Sequence, residues 1–191
     1  MKLTTLILLT TLQAAAQIGV PERRQAKVPV CVINQNVLAA DVPVELLAER
    51  LTTKMFADIG VGIEWQHGRP PATRPNHCIL TTVTTGVPRT ASSHALAAAG
   101  PFETNQITVF LRRIKRRSAL STAILFSYVL THEITHLLED VNYHAPSGIM
   151  KSHWDAEDFN RMDRRQLTFT PSDISLIHLG LASRHERRST E

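Results

Sequence analysis

Residues His132-Glu133-Ile134-Thr135-His136 form the pattern H-E-x-x-H inside a segment whose apolar residues recur at helical spacing. This places two demands on the fold at once. Leu120, Ala123, Ile124, Leu130, Ile134, Leu137 and Leu138 make an apolar stripe that must be covered, so the helix packs into the core. His132 and His136 lie one turn apart near the edge of that stripe, so the same helix must also open onto a cleft. Two imidazoles placed this way can grip one zinc ion, with the intervening carboxylate of Glu133 beside it as general base. Five residues can match by accident, so the weight rests on their surroundings.

A catalytic zinc site takes three protein ligands and keeps a fourth position for water. The third must come from downstream, where the chain leaves the helix. Asp140, His144, His153 and Glu157 are the candidates. His144 is favoured. The stretch from Glu139 to Tyr143 gives the chain room to reverse, and a third imidazole completes an all-histidine set suited to zinc. Ser147-Gly148-Ile149-Met150 follows as a tight-turn sequence carrying a methionine.

The rest of the chain reads as one α+β domain. Val28–Ile33 is a Val-rich buried strand, and Asp41 and Pro43 open a helix with Val44, Leu47, Ala48, Leu51, Met55 and Ile59 on its apolar face. Gly60 ends it, and Val61, Ile63 and Trp65 alternate as a strand. Cys78–Thr85 is a β-branched strand, residues 86–105 a loop with one irregular strand, and Gln106–Leu111 a short strand. The basic run from Arg112 to Arg117 has no interleaved aromatics for stacking bases, and reads as a solvated connection rather than a nucleic-acid site. Ser118 or Ser121 caps the His-bearing helix, Asp155 begins another, and Thr170-Pro171-Ser172-Asp173 opens a last one running to about Ser183. The expected fold is a mixed, mostly parallel twisted sheet packed against the His-bearing helix, with a small C-terminal helical part.

The N-terminus points to export. Lys2, the apolar run Leu3–Leu12 and the small residues Ala14-Ala15-Ala16 resemble a secretory signal peptide over 1–16, leaving 17–191 as the mature domain, secreted or periplasmic. No other segment is long and apolar enough to span a bilayer. In that setting Cys31 and Cys78 either pair or stay as buried thiols. The net charge of +4 is scattered and says little about partners, and nothing in the sequence sets an oligomeric state.

The H-E-x-x-H helix, a histidine shortly beyond it and the Gly148-Ile149-Met150 turn resemble the metzincin zinc metallopeptidases. The resemblance spans roughly residues 28–183, and residues 132–150 are its specific part. It implies a zinc metalloendopeptidase acting on peptides or proteins. His132, His136 and His144 would be its ligands, Glu133 its general base, and Met150 part of a floor beneath the ligands. This sequence departs from the metzincin pattern H-E-x-x-H-x-x-G-x-x-H. Glu139 stands where the glycine belongs, Asn142 where the third histidine belongs, and His144 comes two residues late. Asn142 could supply the left-handed turn that the glycine normally makes. No tyrosine follows Met150 closely, so the extra tyrosine ligand of some metzincins has no counterpart. Two rivals remain open. One is a gluzincin-type peptidase with Glu157 as third ligand, although Arg161 stands where its second acid belongs. The other is an exported, non-catalytic zinc-binding or interaction domain.

Overall fold

A computed structural model describes residues 26–74, 77–100, 105–141 and 143–189. The expected signal peptide at 1–16 and its cleavage point lie outside the described residues, as does Asn142.

Five strands form one sheet: β1 (Ala26–Gln35), β2 (Val61–His67), β3 (Ile79–Thr84), β4 (Ala97–Ala99) and β5 (Gln106–Phe110). Their order is β2-β1-β3-β5-β4, all parallel except β4, which runs antiparallel along the outer edge of β5. The mixed, mostly parallel sheet is the one the sequence predicts. Val28, Val30 and Val32 alternate into the core on β1, as Ile79 and Val83 do on β3 and Ile107 and Val109 on β5. Two helices pack on the sheet and on each other: α1 (Val42–Ala57) and the His-bearing α3 (Ala119–Glu139). A single turn, α2 (Leu111–Ile114), joins β5 to α3, while α4 (Ala156–Asp163) and α5 (Pro171–Ser189) complete the chain.

Helix ends follow local chemistry. Ser118 caps α3, accepting from the Ser121 amide at 3.0 Å. Asp155 and Asp158 form a reciprocal capping box on α4. Thr170 and Asp173 exchange the same pair of bonds at the start of α5. Asp41 stands at the start of α1 but does not cap it. Its carboxylate pairs instead with Lys115 at 3.0 Å, tying α1 to the end of α2.

Three expectations need correction. The buried face of α1 is centred on Glu45, Ala48, Glu49, Thr52 and Phe56, rotated from the aliphatic stripe read from the sequence. Leu120, counted in the α3 stripe, is 53% exposed, because it lies in the first turn before the helix enters the core. The last helix continues to Ser189 rather than ending near Ser183. Its extension is held by Arg184, which donates to the Leu137 carbonyl at the end of α3.

Cys31 and Cys78 are joined as a disulfide that ties β1 to the segment entering β3 across 47 residues. Closing a loop of that length removes about 4 kcal/mol of chain entropy from the unfolded state. Replacing both cysteines by serine is expected to lower unfolding free energy by roughly 2–4 kcal/mol, read as a lower urea midpoint at unchanged slope. An unshifted midpoint would show that the cross-link adds nothing.

Candidate metal centre

From Thr122 to Glu139 the side chains of α3 are buried, with the single exception of Glu133. The helix is therefore a core element with one half-buried side chain that opens onto a cleft. His132 and His136 flank it, 9% and 6% exposed. Beyond Glu139 the chain turns sharply: Asp140 takes the left-handed conformation at φ 54°. This is the bend that the metzincin glycine would make, one residue later than that pattern places it. It accounts for part of the late position of His144.

His144 then returns to the helix. Its Nε2 lies 3.2 Å from Nε2 of His136, which in turn lies 3.0 Å from Nε2 of His132. The rings of His132 and His144 are close to parallel at 5.3 Å, with His136 edge-on to both. Of the four candidates for third ligand, His144 is the one brought to the pair. Asp140 faces Arg187 at 3.8 Å. Glu157 is exposed in the first turn of α4, its amide held by Asp155. His153 lines the same cleft without joining the three nitrogens.

One loop positions two of the three rings. Ala145 donates to the Met150 carbonyl at 2.9 Å and pairs with Lys151, closing the segment that starts at His144. Within it, the Ile149 carbonyl accepts from His132 Nδ1 at 2.9 Å and from Trp154 Nε1 at 3.2 Å. Met150 is fully buried in the core. Gly148 is required here on two counts. Its φ is +80°, and a Cβ would stand 2.6 Å from the Thr168 carbonyl. That carbonyl also accepts from the Ile149 amide at 3.1 Å, docking the turn on the segment before α5.

The donor set fits a zinc ion. With its Nδ1 proton given to Ile149, His132 presents a bare Nε2 lone pair to the other two rings. Three imidazole nitrogens at this spacing cannot all be satisfied by one another's protons. Two nitrogens bound to one tetrahedral zinc stand ~3.3 Å apart, close to what is observed. Nδ1 of His136 is buried without a well-formed hydrogen bond, and the Val141 backbone is the group that favours its proton. Burial, followed by repulsion from neighbouring imidazoles, holds His132 down to about 3 and His136 to about 4. His144 is lowered as well, by burial first and then by His153. All three are thus neutral near pH 7, the form in which imidazole binds metals.

Glu133 faces the same cleft. Burial pushes its carboxyl up to about 7, and no hydrogen bond or ion pair engages it among the described residues. A carboxylate with that affinity can both take and return a proton near neutral pH.

The cleft has a volume of about 570 Å³. Its floor is the three histidines and Glu133; one wall is the backbone of Ala95–Ala99, the other Ser152–Trp154. Sequence reasoning missed what builds the first wall. Arg113 donates at 2.6 Å to the carbonyls of both Ser92 and Ala95, and Phe110 donates to the Leu96 carbonyl at 3.0 Å. Arg116 lines the cleft and stacks over Phe159 at 5.7 Å. The basic run read as a solvated connection is thus in part a brace for β4. Its one sequence signal was the pair Leu111 and Ile114, which are buried and turn Arg113 toward the preceding loop.

Neither a family model nor a curated protein matches this sequence. Among solved structures, an archaemetzincin from Methanopyrus kandleri superposes with a TM-score of 0.54 over 85% of this chain and 99% of its own, at 13% identity. The likeness is one of fold.

Proposed function

We infer that the protein is an exported zinc metallopeptidase that cleaves peptide bonds in the cleft between β4 and the segment 152–154. One observation carries this reading: three imidazole Nε2 atoms meet within 3.0 and 3.2 Å beside Glu133, the one half-buried side chain on a buried stretch of helix. The archaemetzincin-like fold supports it, and so does the metzincin resemblance of residues 132–150. The N-terminal sequence and the Cys31–Cys78 disulfide support export.

His132, His136 and His144 would hold the ion. When bound, zinc brings the pKa of water to about 7 and polarises a carbonyl. Glu133 accepts the proton of the attacking water and passes it to the departing amine. Ile149, through its carbonyl, keeps His132 in the tautomer that leaves Nε2 free. Among the described residues the outer edge of β4 pairs with no strand. An extended peptide can add to that edge, its backbone carried past Glu133.

The rival ligand sets separate cleanly by metal content. His144→Ala is expected to drop zinc at this site at least ~10-fold in affinity and to remove casein hydrolysis, whereas Glu157→Ala should alter neither. Elemental analysis of both purified variants, with activity before and after chelation, checks this. Loss of zinc in Glu157→Ala but not in His144→Ala would favour the gluzincin-type arrangement. Full zinc with no turnover in the unaltered chain would favour a non-catalytic domain.

A further inference from the structure

A second group of ligating side chains stands at the other edge of the sheet. Glu45 and Glu49, one turn apart on α1, point at the ends of β1 and β2. There they meet Asn34 and His67, the latter the last residue of β2. One ligand atom from each of Glu45, Glu49 and His67 lies within 4.8 Å of the others. The two glutamates are 3% and 4% exposed, values rare for this residue without a partner of opposite charge. Asn34 Nδ2 donates to one oxygen of Glu45 at 3.1 Å, and His67 Nε2 stands 3.4 Å from one oxygen of Glu49. The remaining oxygen of each carboxylate, Glu45 Oε2 and Glu49 Oε1, is buried with no hydrogen-bond partner.

Two adjacent carboxylates taken out of water need a compensating positive charge or a proton. Besides each other, His67 is the ionisable neighbour in contact with them. The donors comprise two carboxylate oxygens and an imidazole nitrogen, a set that suits a borderline divalent transition metal. The imidazole is half-exposed, which leaves an entry path from solvent.

We propose that Glu45, Glu49 and His67 form a second, structural zinc-type metal site that clamps α1 to the ends of β1 and β2, separate from the His132–His136–His144 centre. Its ion would satisfy the two orphaned oxygens and cross-link three elements distant in sequence. This contributes to stability in the way any ligand specific to the folded state does.

The test is zinc titration of the chelated, full-length protein by calorimetry, with thermal unfolding measured before and after. The unaltered chain should take up two equivalents. Glu45→Gln/Glu49→Gln, which keeps the volume and removes the charge, should take up one and lose the corresponding rise in Tm. Without metal, that variant should melt no lower than the parent, since it removes two buried carboxyl groups that lack full hydrogen bonding. His67→Ala alters a half-exposed side chain at a strand end, so its fold is safe. It should weaken the second equivalent by roughly 10-fold or more. One equivalent in the parent, kept by the double variant and lost in His144→Ala, would overturn this site while leaving the peptidase reading intact. One equivalent lost in the double variant and kept in His144→Ala would uphold this site and overturn the other. No second equivalent, with the double variant as stable as the parent, would mean that a shared proton holds the pair and no metal does.

Discussion

Replacing Glu133 by alanine is expected to remove peptide hydrolysis while zinc stays bound. The three imidazoles draw no support from this side chain. His132 is held by the Ile149 carbonyl, and His144 by the loop closed between Ala145 and Met150. Glu133 itself engages no partner among the described residues, so its removal leaves no orphaned donor. It is also the one side chain on this stretch of α3 that is only half-buried, and it faces the cleft, so little core is lost. The whole effect should therefore fall on proton transfer. A general base contributes ~10²–10⁴-fold to rate, and kcat should fall by that factor with KM little changed. Glu133→Gln, which keeps the shape and loses the proton chemistry, should fall as far. Measurement of kcat on a fluorogenic peptide, with zinc counted in the same sample, decides the point. Turnover within a few-fold of the parent at full zinc occupancy would strip Glu133 of the assigned role.

The parts of this molecule that sequence exposes are those where local chemistry and tertiary need coincide. α3 carries a helical apolar period and a serine cap, and both serve the folded state. Thr170–Asp173 is legible for the same reason: a cap acts within one turn and needs no distant partner. Elements stabilised from afar are not legible. β4 is three alanines with neither alternation nor β-branching, and it exists because Arg113 and Phe110 anchor the backbone just before it. The end of α5 looks like a polar tail until Arg184 is seen to reach the end of α3. On α1 the aliphatic stripe predicted the wrong centre because two glutamates occupy the inward face, against the ordinary rule that charged residues point out. At the candidate metal centre the three histidines that the sequence singles out do lie together, and the turn that brings the third one back was not legible. Asp140 supplies the left-handed bend, a conformation uncommon for a residue other than glycine.

Gly180→Ala is expected to destabilise the fold strongly and to weaken zinc binding with it. By helix propensity alone the change should help, because alanine within a helix is favoured over glycine by about 1 kcal/mol. Here a Cβ would stand 1.8 Å from the Leu138 carbonyl oxygen and 2.9 Å from its carbon, and both are backbone atoms that cannot rotate away. Relief requires α5 to withdraw from the end of α3 by more than an ångström. One turn further along α5, Arg184 donates to the Leu137 carbonyl, and one turn earlier Ile177 is fully buried. Withdrawal would thus leave a helix-terminal carbonyl unsatisfied and open the core beside it. Overpacking against fixed backbone belongs at or above the top of the usual ~1–3 kcal/mol range. For a chain of this size that is a fall in Tm of about 6–12 °C. His136 sits on the same last turn of α3, so the three imidazoles lose their registry along with it. The sign of the change in Tm decides the matter. A rise would mean that propensity governs position 180 and that the packing of α5 on α3 is loose. A fall, accompanied by weaker zinc binding, would show that a residue far from the cleft in sequence sets the geometry of the metal centre through a single backbone contact.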